Sequence, residues 1–407
     1  MRINRDLLGG SIVLLITFNL YNFLNFIYQF SMARFLTVVE YGVLAALFSI
    51  IYVLAVFTES IQTVVAKYSS QESSLGRLKN LMNRSLRKSG IVALWLFIIY
   101  LIVSWPLSIL LKIPYPLLAL NGLVIFTSFL IPVTRGIMQG QRRFSALGGN
   151  LIIEAVTRLV VAIVSVLLLA SFFPEMKVYG ALIGVIAAVF TAFFCSFIPL
   201  REIKKSKEES LATPNIYSYT APVFLITLVI IIFYSLDVII AKIVFDAETA
   251  GFYAIASILA KTMFWGTLPV SKAMFPLSAQ NKEKHTSSSN VLWNALGILA
   301  LISLVGLLIV YSLPEFIIYL FKGEYIQQSA QILIYVTLAM AIHSFSNLIL
   351  LYKLSKGKTR GYWAFLSFII LEVGILWYFS SDIIQFSKAF VLTAIIFLIG
   401  SLVLLRK

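Results

Sequence analysis

Hydrophobic and polar positions in this chain are sorted on a coarse scale, into apolar runs of about twenty residues divided by short polar stretches. At 1.5 Å per residue, a run of that length is the helix needed to cross roughly 30 Å of hydrocarbon. Twelve such helices are predicted, at about 7–33, 41–65, 90–111, 117–138, 151–172, 179–199, 221–244, 250–275, 291–312, 331–351, 361–379 and 388–404. The polar intervals are short. The longest, near 66–89, 200–220 and 313–330, are too small to fold as separate soluble domains. The first run is too long for the core of a signal peptide and lacks a small-residue cleavage site, so it is expected to stay as a span. The pattern thus predicts an all-α polytopic membrane protein.

One apolar run breaks its own rule. The stretch "TFNLYNFLNFIYQF" (17–30) carries Asn19, Asn22, Asn25 and Gln29, whose spacings of 3, 3 and 4 share one helical face. One or two amides hold helices together in lipid, at about 0.6 kcal/mol each. Four on a single face predict the wall of a polar cavity.

Composition agrees with the pattern: 60% of residues are hydrophobic, 12% are charged, and the mean hydropathy is +0.96, more apolar surface than a soluble domain can bury. The net charge of +15 is informative through its placement. Arg2, Arg5, the basic residues from Lys67 to Lys88, Arg142, Arg143, those from Arg201 to Lys207, Lys282, Lys284, those from Lys353 to Arg360, Arg406 and Lys407 all fall on one side of the predicted spans. The other side holds Arg34, Lys112, Lys177, Lys322 and Lys388. The positive-inside rule then predicts that both termini are cytoplasmic. Basicity here reports topology, so no nucleic-acid partner is expected. The single cysteine, Cys195, excludes an intrachain disulfide framework.

The chain also matches itself. An offset of 208 places Gln29 on Asp237, Arg34 on Lys242 and Pro106 on Pro314. At 209, Gly42 falls on Gly251, Ala45 on Ala254 and Gln71 on Gln280. At 217 to 218, Gly140 falls on Gly357, Arg143 on Arg360 and Glu154 on Glu372. The shared order and slow drift indicate a duplication, with residues 1–205 and 206–407 as two six-helix bundles. Six is even, so the copies are expected to run parallel around a central cleft and to give alternating access by rocking. Pro132 and the "GTLP" at 266–269 are expected to bend their helices.

An ionisable side chain within a span costs roughly 2.5–3.5 kcal/mol even on the lenient insertion scale, so each requires a reason. Glu59, Arg135, Glu154, Arg158, Asp237, Lys242, Lys261, Lys272 and Glu372 lie within the predicted spans. Arg135 and Lys272 are near helix ends and are expected to snorkel, and Lys242 has the same option. Glu154 and Arg158 have the spacing and order of an intrahelical pair. Lys261, Glu372, Asp237 and Glu59 are deeper. A cleft-facing role is expected for them, with a buried interhelical ion pair as the alternative. His343 reads as a polar packing residue or a proton-linked one, packing being favoured.

Several chemistries have no residues to carry them. The "KGKT" at 356–359 has Tyr352 where a phosphate-binding loop needs its first glycine. There is no HExxH, no cysteine pair and no nucleophile elbow. ATP hydrolysis, a metal site and any other cofactor are not expected, nor is an enzyme.

Four segments, "FLTVVEYGVLAALFS" (35–49), "RGIMQGQRRF" (135–144), "LDVIIAKIVFDAETAGFYAIASILAK" (236–261) and "MFPLSAQ" (274–280), resemble the polysaccharide or oligosaccharide flippases. These belong to the multidrug, oligosaccharidyl-lipid and polysaccharide exporter superfamily. The resemblance implies a twelve-helix transporter for a polyprenyl-diphosphate-linked glycan, moved to the outer leaflet in surface-polymer assembly beside glycosyltransferases or a polymerase of the same pathway. It implies a cationic cleft that receives the diphosphate. Here the candidates are Lys261, Arg158 and Arg135, with Arg34 and Lys242 at the outer rim and Asn19, Asn22, Asn25 and Gln29 lining the cleft. The in-span charges are nearly balanced, however, which departs from a strongly cationic lumen. Twelve helices also argue against the cell-wall lipid-precursor branch, which usually has fourteen. Coupling to H⁺ or Na⁺ is expected, at Glu59, Asp237 or Glu372. The competing reading is a cation-coupled multidrug antiporter of the sister family. A membrane glycosyltransferase or polymerase is disfavoured by the small outer loops.

Overall fold

A computed structural model describes residues 5–210, 221–283, 289–357 and 361–404. Arg2, Lys284, Arg360, Arg406 and Lys407, which enter the charge and repeat arguments, lie outside the described residues. Among the described residues every regular element is a helix, and the predicted 117–138 segment is divided between two of them, Tyr115–Gly122 and Val124–Gly140. Among the described residues nine helical segments are long and apolar enough to cross a membrane, and the shorter apolar segment Tyr362–Tyr378 adds to them. In hydrocarbon every backbone N–H and C=O must be paired within the segment, which a helix achieves and an open strand does not. The protein is a multi-pass membrane protein.

The chain groups into two compact units, Met1–Leu36 with Leu54–Ser218, and Thr37–Val53 with Tyr219–Lys407. Helices α1 (Arg5–Phe35), α2 (Val38–Ser70), α3 (Leu75–Leu111), α4 (Tyr115–Gly122), α5 (Val124–Gly140), α6 (Phe144–Phe172), α7 (Lys177–Cys195) and α8 (Arg201–Lys205) come first. The first half of α2 is counted with the second unit. Within the first unit α6 packs on both α1 and α7. The contact with α7 is close because Gly180 and Gly184 form a small-residue stripe. A Cβ on Gly184 would lie 2.6 Å from Ala162 Cα.

Two polar stretches that hydropathy marks as loops are ordered in this unit. Helix α3 begins at Leu75, so the 66–89 interval shrinks to the short turn between α2 and α3. Its first turns are amphipathic: Leu78 and Met82 are buried against Val65, Ile137 and Ile203, while Arg84 and Lys88 stay exposed. Averaging over a window hides such a face. Residues 206–210 run along the start of α3. Glu209 N donates to Gly76 O at 3.2 Å, Lys79 Nζ to Ser206 O at 2.8 Å, and the Asn80 and Asn83 amides to the Glu208 carboxylate at 2.8 and 2.9 Å.

The second unit adds α9 (Ala221–Val244), α10 (Ala247–Glu283), α11 (Ser289–Ser312), α12 (Pro314–Lys322), α13 (Gln327–Ser355), α14 (Leu366–Tyr378) and α15 (Ile383–Val403). Here α13 is the central, largely buried helix, flanked by α10 and α15. The predicted 313–330 loop contains α12, with Pro314 in its first turn and Gly323 closing it at φ 91°. Helices α5 and α10 continue through Pro132 and Pro269.

The starts of α2 and α10, matched at offset 209, are capped alike. Thr37 N donates to the Glu40 carboxylate at 2.7 Å and Glu40 N to Thr37 Oγ1 at 3.3 Å, a reciprocal capping box. On α10, Asp246 Oδ1 accepts from Glu248 N and Thr249 N, both at 3.0 Å. Hydrogen bonds from Thr249, then from Glu248, hold the Asp246 carboxyl below its ordinary value. That contribution is present above the unfolded carboxylate range and lost as pH falls through the folded one. Just beyond these caps, Gly42 meets Gly251 backbone to backbone, a Cβ on Gly42 lying 3.0 Å from Gly251 Cα.

The second unit therefore predicts opposite outcomes for two Gly→Ala changes on α10. At Gly251 an added Cβ would sit 2.4 Å from Val38 O, whereas at Gly266 it meets nothing within 4 Å. Thermal unfolding in detergent is expected to show Gly251→Ala destabilised and Gly266→Ala neutral or stabilised by up to about 1 kcal/mol. In the same assay Asp246→Ala is expected to cost about 1 kcal/mol near neutral pH and less in acid.

Candidate functional site

The first unit solves its charge problem with one network. A spacing of four along α6 puts Asn150, Glu154 and Arg158 on one face. Helix α5 supplies Arg135, and α1 supplies Tyr21 and Asn25. Glu154 Oε2 accepts from Arg135 Nη2 at 2.7 Å, and Oε1 from Arg158 Nη2 at 2.5 Å and Tyr21 Oη at 3.1 Å. Arg135 Nε donates to Asn150 Oδ1 at 2.7 Å, and Asn150 Nδ2 to Ala192 O of α7 at 2.7 Å. Arg158 Nη1 donates to Asn25 Oδ1, whose own Nδ2 donates to Tyr21 O at 2.9 Å. Two guanidinium groups share one carboxylate, leaving one surplus positive charge. Arg158 Nε is buried with no hydrogen-bond partner, while its side chain keeps 12% exposure. Such a site is chemically suited to an anion.

The second unit builds a different network. Tyr253, Ser257 and Lys261 lie on one face of α10, again four apart, and all converge on Asp237 of α9. Lys261 Nζ donates to Asp237 Oδ1 at 3.0 Å, and Ser257 Oγ and Tyr253 Oη donate to Oδ2 at 2.6 and 3.2 Å. Lys261 Nζ also sits 4.9 Å from the Tyr234 ring centroid, and the Trp265 indole N–H donates to Tyr234 Oη at 2.6 Å. Glu372 of α14 is fully buried nearby, and neither carboxyl oxygen has a hydrogen-bond partner.

Exposed faces in the two units are of two kinds. Those of α3 and α11 are apolar, with Ile98, Ile102, Trp293 and Leu301 outermost, as lipid contact requires. On α1, Asn19 and Asn22 are exposed; on α2, Glu59, Thr63 and Lys67 form an exposed stripe at a spacing of four; on α10, Thr262, Gly266 and Lys272 are exposed. A polar stripe along a spanning helix is stable where it borders water.

These positions revise several expectations. Arg135 does not snorkel: at 6% exposure it is inside the bundle, because Glu154 and Asn150 satisfy it there. Lys242 is likewise buried, whereas Lys272 is exposed. For Asp237 and Lys261 the structure gives the buried interhelical pair, at 0% and 2% side-chain exposure. The amide stripe divides, Asn19 and Asn22 lying at the surface, Asn25 joining the Arg158 network, and Gln29 half-buried farther along. Arg34 is exposed, 5.1 Å over the Phe30 ring. His343 is a packing residue, stacked on Phe233 at 5.0 Å and flanked by Phe264 and Phe397, with Nε2 3.1 Å from Ile230 O. Sequence reasoning missed Tyr21, Asn150, Tyr253 and Ser257. Asn150 lies four residues before Glu154, and Ser257 and Tyr253 lie four and eight before Lys261, which was their signal; Tyr21, which reaches Glu154 from another helix, had none.

Among the described residues no group of three or more His, Cys, Asp or Glu is arranged to hold a metal ion. A family model described as "Polysaccharide biosynthesis protein" matches residues 31–331, well over half of the chain. The chain belongs to that family. The resemblance to polysaccharide flippases read from its motifs agrees with this membership. No curated protein matches the sequence. Among solved structures, the chain of this polysaccharide biosynthesis family member is similar to a lipid II flippase MurJ in an inward closed conformation. The TM-score is 0.72 at 16% identity, covering 96% of this chain and 87% of that one. It is also similar to an inward-facing multidrug resistance MATE family transporter of the MOP superfamily, with TM-score 0.69, 13% identity, and coverage of 94% and 93%. The Vibrio cholerae MATE transporter VcmN in its bent form gives TM-score 0.62 at 13% identity, covering 98% and 95%. At these identities the likeness is one of fold, and the fold is that of flippases and transporters of the superfamily.

Glu154 is the hinge of the first network's stability. Glu154→Gln leaves two guanidinium groups buried without their counter-charge and is expected to cost about 3–5 kcal/mol. Adding Arg158→Gln in the same chain is expected to recover part of that loss, read as a higher unfolding temperature for the double variant than for the single one.

Proposed function

We propose that the protein is a secondary transporter that flips a lipid-diphosphate-linked oligosaccharide from the cytoplasmic to the outer leaflet during surface polysaccharide assembly. The observation that carries this reading is the Arg135–Glu154–Arg158 cluster, with its surplus positive charge and the unpartnered Nε of Arg158. A diphosphate supplies the anion that the cluster lacks, and planar guanidinium groups suit its oxygens. Asn19, Asn22, Asn25 and Gln29 offer amides to sugar hydroxyls. In this reading the protein spans the plasma membrane twelve times with both termini cytoplasmic. Residues 1–205 and 206–407 are parallel repeats that alternate access, and Arg34 and Lys242 mark the outer rim. Membrane lipids surround it, and glycosyltransferases or a polymerase of the same pathway supply and consume the cargo. With no nucleotide site in the sequence, the drive is an H⁺ or Na⁺ gradient acting at Glu59, Asp237 or Glu372. Membership of the polysaccharide biosynthesis family supports the glycan. The multidrug transporter fold and the exposed Glu59 favour a second reading, a cation-coupled multidrug antiporter.

Purified protein in liposomes tests the choice. Arg158→Gln is expected to slow glycan-lipid flipping roughly ten- to hundredfold, the worth of one or two hydrogen bonds to a charged group, whereas Arg84→Gln on an exposed surface leaves it unchanged. No movement of any lipid-linked glycan under either ion gradient removes the flippase reading. Loss of drug resistance in Asp237→Asn, with the cell-surface glycan intact, selects the antiporter.

A further inference from the structure

We propose that the indole of Trp265 is a platform on which a sugar ring of the cargo lies flat, so that the second unit holds the glycan by stacking. The inference deepens the transporter reading and rests on it for the glycan. Trp265 is on α10 and is 46% exposed. Among the described residues it alone of the six tryptophans has its indole N–H bonded within the protein, to Tyr234 Oη at 2.6 Å. A tryptophan that anchors a helix at the membrane surface turns that N–H outward, to water or headgroups. Here the polar edge is turned in, and the ring is what the surface presents.

The ring is held in place from behind. Tyr234 is buried, with Tyr52 and Phe264 against it at centroid distances of 5.6 and 5.4 Å and Lys261 Nζ over its ring. Tyr52 belongs to the part of α2 counted with this unit. Lys261 in turn is fixed by Asp237 at 3.0 Å. The indole meets Tyr234 at 89° and Phe264 at 81°, both edge contacts. Among the described residues no ring is stacked on its face. The Asp237 network thereby reaches the surface of the unit through one tethered aromatic group.

The ground beside it suits a carbohydrate. From Thr262 to Ala273 the other exposed positions of α10 are Thr262, Gly266, Pro269, Lys272 and Ala273, none with a large apolar side chain. A Cβ on Gly266 would meet nothing within 4 Å, so there is room next to the indole. Thr262 Oγ1 donates to Leu259 O at 2.5 Å, which leaves its lone pairs to accept from a hydroxyl. Lys272, seven residues on from Trp265, returns to the same face about 10 Å along the axis. Its charge opposes a cationic occupant and favours one that carries phosphate.

A pyranose answers these features together. Its ring carries C–H groups on a flat apolar face and hydroxyls around the rim. The face sheds water onto the indole while the rim stays open to Thr262. Stacking of this kind asks little of the sugar's identity, because most pyranoses offer such a face. The guanidinium cluster of the first unit answers to the diphosphate in this reading, and Trp265 to the presence of a sugar.

Fluorine NMR of the full chain in lipid nanodiscs, labelled with fluorotryptophan, tests this. Six resonances are expected, and the one missing from Trp265→Phe belongs to Trp265. The probes are a short polyprenyl diphosphate linked to glucose, galactose, mannose or N-acetylglucosamine, and the same lipid diphosphate without a sugar. At least one sugar-linked probe is expected to shift the Trp265 resonance saturably, and the bare probe to leave it in place. Trp265→Leu is expected to bind that sugar-linked probe roughly tenfold more weakly and the bare one as before, with Trp265→Phe in between. No shift with any sugar, an equal shift with the bare probe, or unchanged affinity for the sugar-linked probe in Trp265→Leu each overturns the proposal. So does a shift produced by ethidium and by none of the sugars, which selects a cationic drug. Circular dichroism and monodisperse elution establish that the variants fold. If a sugar-linked probe shifts the resonance yet is not moved in liposomes, the flippase reading fails and the sugar site stands. If it is moved while the resonance stays in place, the sugar site fails and the flippase reading stands.

Discussion

Placing a charge inside an apolar helix bundle is costly, and this constraint organises both units. At the centre of each unit one buried carboxylate meets an opposite charge together with hydroxyl or amide groups. In the first unit Glu154 gathers Arg135, Arg158 and Tyr21 from three helices. In the second Asp237 gathers Lys261, Ser257 and Tyr253. These contacts fix which faces of α1, α5, α6, α9 and α10 turn inward. The exposed apolar faces of α3 and α11 suit lipid.

Positions matched by the sequence offsets carry different chemistry. Glu154 and Glu372 are one such match, yet one is held by two arginines and the other has no hydrogen-bond partner. Gln29 matches Asp237, an amide against an ion-paired carboxylate. The first network therefore carries a surplus cation, two guanidinium groups on one carboxylate.

Much of this was legible in the residues alone. Apolar run length located the helices, because hydrocarbon thickness sets that length directly. In-span charges identified the groups that matter, because each carries a cost that needs a cause. What remained hidden was pairing. Arg135 and Glu154 are on different helices, and no spacing rule connects them. Tyr253 and Ser257 drew no notice because neither is ionised, although they are about two turns and one turn from Lys261. The amphipathic start of α3 was read as loop because its charged face dilutes Leu78 and Met82 in any average. For Asp237 and Lys261 the residues allowed two geometries, and packing chose between them.

The contact between Gly42 and Gly251 has a consequence for how such a chain changes over generations. A gene duplication normally frees its two copies to diverge, each position sampling replacements on its own. Here the matched positions abut, so a methyl group acquired by either is felt by its counterpart. Selection acts on them as a single site with two addresses in the gene.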